Sequence, residues 1–358
     1  MSPLAGEPVA LITGGAGFVG SNLAQRLLAQ GRRVLVFDNL SRPGVRNNVR
    51  RLQEHYPERL EIEVADIRDA GAVARAVDRA GEIYHLAAQV AVTTSLESPL
   101  QDFEINARGT LNVLEAARHR SPAPALIFTS TNKVYGALTD VALQKKGGRY
   151  VPVNQRVREH GIGETRSLDF HSPYGCSKGA ADQYVLDYAR SFGLPAVVFR
   201  MSCIYGPHQF GNEDQGWVAH FLIRARERSP VTLFGDGCQV RDVLYVGDLL
   251  EAFVLARNNM ARLSGHAFNI GGGTGNTLSL LELLALMNER YGLPARTSFA
   301  PWREGDQRYY VTDTTRFSTA TGWRPHTSPA EGVGKLNDWL REGITSTRHR
   351  DLPAAVSQ

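Results

Sequence analysis

Cysteine is scarce in this 358-residue chain: Cys176, Cys203 and Cys238 are its three thiols, and none precedes position 176. An odd, late set of thiols excludes a disulfide framework and fits a reducing, cytoplasmic setting. Long hydrophobic runs are also missing. No stretch approaches the roughly 18 consecutive apolar residues of a membrane-spanning helix, so no membrane partner is expected. The first residues lack a basic start and a long apolar core, so no secretory signal is expected. Charge of one sign does not accumulate. Forty Lys+Arg stand against 36 Asp+Glu, a net of +4, and no block of like charges could act as a nucleic-acid arm. The ten His have no metal-ligand spacing, so no metal is expected. What is present is 42% hydrophobic and 21% charged residues, enough to bury a core in a chain too long for one small module.

Segments 9–13, 34–37, 60–64, 83–86, 125–128 and 196–199 read as strands, the short apolar run 9–13 as a buried parallel one. Between them, 18–30, 70–78, 99–117 and 173–191 carry helical patterns. This alternation predicts an α/β fold: a doubly wound parallel sheet of Rossmann type, with ligands outside the carboxyl ends of the strands. Beyond about 205 the elements shorten and Gly and Pro increase. The reading is a mainly cofactor-binding part over 1–200, a smaller interleaved substrate-binding region over 201–344, and a flexible tail over 345–358.

Residues 14–20 read Gly-Gly-Ala-Gly-Phe-Val-Gly, directly after a strand and opening a helix. Such glycines allow a tight turn and close approach of backbone N–H groups to a diphosphate, which then sits at the helix N-terminus. Gly14, Gly17, Phe18, Val19 and Gly20 are therefore assigned to the cofactor. Asp38 ends the second strand, where a carboxylate accepts from ribose hydroxyls and repels a 2′-phosphate, so NAD is expected. Asn39 beside it, Asp66 and Ile67 after the third strand, and Leu86, Ala87, Ala88 and Gln89 after the fourth complete the cofactor set.

Tyr174 and Lys178 lie four apart at the start of a helix that Ser172 caps and Pro173 opens. They share one face. A Tyr needs its pKa of about 10 lowered to act as a base near neutrality. One cation at about 4 Å in a dielectric of about 20 supplies about 4 kcal/mol, or roughly 3 pKa units. The fifth strand delivers Thr131, whose hydroxyl suits a proton relay. Cys176, Cys203, His85, His171, His208, His220 and Trp217 are left without a chemical role.

The glycine motif, Thr131 ahead of Val134-Tyr135-Gly136, and Tyr174-x-x-x-Lys178 together resemble the extended short-chain dehydrogenase/reductase family, over roughly residues 8–340. Segments 89–95, 130–136, 169–184, 214–218 and 239–244 further resemble its branch of CDP-sugar 2-epimerases. The resemblance implies tightly held NAD, a nucleotide-sugar substrate with CDP favoured, and a catalytic trio of Thr131, Tyr174 and Lys178. It also implies that Asn132 and Lys133 face the substrate, that Arg241 and Arg303 bind its diphosphate, and that helices 99–117 and 173–191 build a homodimer or homotetramer. Inversion at sugar C2 is the expected reaction; a UDP-sugar or UDP-uronic acid 4-epimerase and a non-catalytic NAD(H)-binding regulator are the alternatives. Dehydratases of the family carry Asp-Glu after the Thr, and its decarboxylases a Glu at the second place. Asn132 and Lys133 stand there instead, which argues against both. Segment 139–169 is longer than a 4-epimerase would need and is expected to cover the sugar nucleotide.

Overall fold

The computed structural model describes residues 8–303 and 305–350. All five residues of Val9–Thr13 are buried, which is why that strand is apolar on both faces. It lies within a seven-stranded, wholly parallel sheet. The order is Ala267–Ile270, Ala196–Met201, Ala125–Thr131, Ala80–His85, Val9–Thr13, Arg33–Asp38, Leu60–Val64. The expected doubly wound fold is thus present. The strand order reverses between Val9–Thr13 and Ala80–His85, so the loops after these two strands flank the crevice where such folds bind ligands.

Each face of the sheet carries its own apolar cluster. On one face Phe199 stacks on Phe253 at 5.6 Å, and Phe317 meets Trp323 edge-on at 5.7 Å. Full burial of each such ring contributes about 1.5–3 kcal/mol. Phe253 comes from helix Val246–Asn258, and Phe317 from Thr315–Thr321. Late parts of the chain therefore return to cover the sheet, and Ala267–Ile270 adds its edge strand.

The stretch expected as one helix over 99–117 is interrupted. Pro99–Phe103 and Gly109–Arg118 are α-helical, and Glu104–Arg108 between them is a π turn. A π turn inserts a residue and re-aims the side chains around it. Asp102 and Asn106 are buried there, each 1% exposed, in a helix that also buries Val113 and Leu114.

Helix Ser172–Phe192 has Pro173 in its first turn and ends on left-handed Gly193. The Ser172 hydroxyl accepts from the Gly175 N–H at 3.3 Å, and Ser172 itself has φ +63. Strain at a non-glycine residue of this kind gathers at functional sites.

The remaining elements form a third cluster. Helices Trp217–Arg226 and Leu280–Tyr291 pack with the strands Val231–Phe234 and Val240–Tyr245. A capping box between Ser279 and Glu282 fixes the second helix's start. Segment 139–169 departs from expectation. It forms a hairpin, Leu143–Lys146 with Arg149–Pro152, and a short helix, Gln155–His160. Arg149 donates to Glu282 at 3.2 Å and Thr277 at 2.6 Å, and the Tyr150 hydroxyl donates to Asp236 at 2.7 Å. These contacts hold it against the outside of the C-terminal elements. Of the expected tail, helix Pro329–Arg350 includes 345–350, and 351–358 lie outside the described residues.

Candidate active site

Two cavities meet at Tyr174. The first, of about 460 Å³, follows the carboxyl ends of the strands and is lined by every residue assigned above to the cofactor and by Tyr174 and Lys178. The second, of about 510 Å³, lies under the C-terminal elements; Thr131, Asn132, Lys133, Arg241 and Arg303 all line it. Val19, Val90, Ser130, Tyr174, Met201 and Gln215 line both. No residue of 139–169 lines the second cavity, so the insertion does not cover it. The reason is its ion pairs, which point it at Asp236 and Glu282 instead.

The glycine turn is built for close approach. Gly14 has φ +70, and a Cβ there would stand 2.7 Å from the Ala87 nitrogen. A Cβ on Gly20 would collide with the Gly14 carbonyl. The Asp38 carboxylate accepts from the Ala16 N–H at 3.1 Å and the Leu40 N–H at 2.9 Å, so it braces the turn as well as facing the cavity. Burial raises its pKa and those two N–H groups lower it. Further along, Asn39 donates to Asp66 at 3.0 Å, and Asp66 is held by a two-pronged pair with Arg68. A glycine cradle at one end of the cavity and a carboxylate at the strand end beyond it fit a dinucleotide with free ribose hydroxyls.

At the junction Tyr174 is 8% exposed. Burial pushes its phenol up; the Thr131 hydroxyl and the Arg42 cation pull it down, and Asp102 opposes them. The expected lowering by Lys178 is not among the influences on Tyr174. Lys178 Nζ donates to the Thr129 carbonyl at 2.6 Å and lies 4.2 Å from the Phe128 ring centre. Burial lowers Lys178 to about 7, while Asp182 and Asp102 raise it.

In the second cavity Lys133 donates to the Gly305 carbonyl at 3.1 Å, and burial with nearby Arg241 lowers it to about 8. Arg241 is paired with Asp306 at 2.7 Å. Arg303 stacks on Phe234 at 3.6 Å and donates to the Glu213 carbonyl at 2.9 Å, with Asp214 at 3.5 Å. Both guanidinium groups therefore face the cavity already partnered. Two residues further on, Gln215 accepts from Arg42 at 2.8 Å beside the first cavity. Segment 213–215 thus touches both sites. Cys203, Trp217 and His220, left unassigned from sequence, also line the second cavity; Cys176, His171 and His208 line neither.

Three buried residues behind Tyr174 were not singled out from sequence: Asp102, Asn106 and Ser177. The Ser177 hydroxyl donates to Asp102, and Asn106 donates to Asp102 at 3.2 Å, to Ser177 at 3.0 Å and to the Gln89 carbonyl at 3.1 Å. The available signal was an Asp and an Asn four apart in an apolar helical pattern, which places two polar groups on one buried face. Among the described residues, no group of three His, Cys, Asp or Glu side chains could hold a metal ion.

Residues 10–271 match the model of the NAD dependent epimerase/dehydratase family. The chain belongs to that family. The expected NAD cofactor and epimerase class are met at this level. Among family members, the CDP-paratose 2-epimerase of Salmonella typhi is 46% identical over 336 residues, 92% of this chain and 98% of its own length. The dTDP-L-rhamnose 4-epimerase of Burkholderia thailandensis is 32% identical, over 93% of this chain and 95% of its own. Among solved family structures, the Thermus thermophilus UDP-glucose 4-epimerase in complex with NAD superposes with a TM-score of 0.77 at 36% identity, covering 93% of this chain and 99% of that one.

Proposed function

We propose that this protein inverts C2 of a CDP-linked 3,6-dideoxyhexose, converting CDP-paratose to CDP-tyvelose. The reading of the reaction is carried by Tyr174, the acid–base group that lines both cavities. The reading of the substrate is supported by the Salmonella relative, matched along 98% of its length. Asn132 and Lys133, at the places where an eliminating enzyme needs carboxyl groups, support epimerisation over dehydration.

The glycine turn would hold the diphosphate of NAD, and Asp38 its adenosine ribose. Bound NAD supplies a reversible hydride acceptor, and hydride return to the opposite face of the oxidised sugar carbon inverts it. Tyr174 takes the proton from the C2 hydroxyl and later returns it. Thr131 donates to the sugar oxygen and relays that proton. Lys178, fixed by the Thr129 carbonyl, keeps positive charge in the cofactor cavity. Arg241 and Arg303 receive the substrate diphosphate through their planar N–H forks. Lys133 adds a cation at the sugar end. We also infer a homodimer, formed through the exposed apolar residues Leu100, Phe103 and Tyr184 on the two neighbouring helices.

Incubation with CDP-paratose, followed by proton NMR of the anomeric and H2 signals, tests the reading. Growth of CDP-tyvelose signals without accumulation of NADH is expected. No conversion, together with turnover of a UDP-sugar, would overturn it.

A further inference from the structure

Asp102 is the unexplained charge of this site. It is 1% exposed, and no cation lies within ion-pair distance of it among the described residues. An unpaired buried carboxylate is costly and usually shifts or finds a partner. Burial raises its pKa; against that, both of its oxygens accept hydrogen bonds, one from the Ser177 hydroxyl and one from Asn106, and these together with the Lys178 charge favour the ionised form. Ser177 precedes Lys178 on the helix and stands three residues after Tyr174. Asn106 sits in the π turn and also joins the Gln89 backbone of the cofactor wall, donating to its carbonyl and accepting from its N–H at 2.9 Å. The π turn therefore supplies the Asn106 amide that, with Ser177, fixes one buried anion beside the helix carrying Tyr174 and Lys178.

The charges around Lys178 can be weighed. Asp182, one turn further along the same helix, raises Lys178 more than Asp102 does, but it is held by Arg200 in a two-pronged pair, both contacts at 2.8 Å, and that cation offsets its field. His85 is buried between Thr13 and Thr110 and is kept neutral, pushed down to about 3 by burial and by Lys178. Thr129 offers only a carbonyl, and Phe128 only a ring face. Around Tyr174 the groups are Thr131, Arg42 and again Asp102. Asp102 is the uncompensated anion common to both.

We propose that Asp102 is a positioning residue of the reaction: held by Ser177 and the Asn106 turn, it is the counter-charge that keeps Lys178 cationic and delays ionisation of Tyr174. This rests on the assignment of Tyr174 and Lys178 as the catalytic couple. Removing the negative charge makes Lys178 lose its proton more easily and Tyr174 lose its proton more easily. Both limbs of the pH–kcat profile then move toward acid together. Loss of a merely structural contact lowers the whole profile without moving its limbs.

The test is Asp102→Asn in the holoenzyme, which keeps shape and removes charge. With CDP-paratose as substrate, both limbs are expected to shift by about one pH unit toward acid, with KM changed less than about twofold. Carbon-13 lysine labelling gives a substrate-independent readout: the Lys178 Cε signal, assigned by its loss in Lys178→Ala, should titrate about one unit lower in D102N. Failure of CDP-paratose to react with the wild type would defeat the substrate reading alone, and the Lys178 titration would still decide the role of Asp102. Ser177→Ala withdraws one donor from the carboxylate and is expected to shift the titration the same way by less; it serves if D102N does not fold. Unmoved limbs and an unmoved Lys178 titration in the folded variants would overturn the proposal.

Discussion

At the scale of single residues, Tyr174 carries the sharpest expectation. Its phenol stands at the meeting of two cavities with Thr131 as its hydroxyl partner. Replacing it by Phe removes the acid–base group and little else, so kcat should fall about 10²–10⁴-fold with KM nearly unchanged. Steady-state kinetics against intact wild type checks this; a loss under tenfold would move the acid–base role elsewhere. His85 supplies a second expectation. Buried and neutral, it has its pKa pushed down to about 3 in the folded state. The unfolded chain binds that proton near pH 6.5, so the unfolded state gains protons first as pH falls. The contribution is therefore fully present above about pH 6.5 and is lost progressively toward pH 3. Urea midpoints should be lower at pH 5 than at pH 7.5, and His85→Gln should narrow that gap. The glycines, Asp38, Thr131 and the Tyr–Lys pair were legible because each sits at a fixed offset from a strand or helix end. Asp102 and Ser177 were not, because 75 residues separate them and only the folded chain brings them into contact.

At the scale of elements, strands and long helices were readable because their apolar patterns are local. What the pattern could not show was the π turn, since one inserted residue leaves Leu111 and Leu114 looking like an unbroken helical stripe. The hairpin at 143–152 has a local sequence signal: Gly147-Gly148 between two short runs is a two-residue hairpin turn. Its destination was beyond the sequence, being fixed by Tyr150, Arg149 and their distant partners. Arg149→Ala should cost about 1 kcal/mol in urea unfolding, the scale of a half-exposed pair plus a hydrogen bond. KM for the sugar nucleotide should stay within about twofold, because the hairpin lies outside the second cavity. A KM raised several-fold would restore a covering role to this segment.

At the scale of the whole molecule, the mild surplus of +4 resolves into local placements rather than a general field. Arg241, Arg303 and Lys133 converge on one cavity. No described helix is long and apolar enough to cross a membrane. Part of the exposed apolar surface lies on adjoining helices, with Leu100 82% and Phe103 50% exposed. If a second copy covers it, Leu100→Asp with Phe103→Asp should yield monomers in size-exclusion chromatography with light scattering. An unchanged mass would place the contact on another face.

Segment 213–215 joins the two cavities through single residues: Glu213 receives Arg303, and Gln215 receives Arg42. If the substrate diphosphate takes the Arg303 N–H now given to the Glu213 carbonyl, one end of this segment is released, while the other end is tied beside the dinucleotide site. The two ligands are then expected to be thermodynamically linked, and linkage is reciprocal. Whatever factor CDP imposes on the Kd of NAD, NAD must impose on the Kd of CDP. Calorimetric titration of each ligand with and without the other should return one common factor, and Arg42→Ala should bring that factor toward unity.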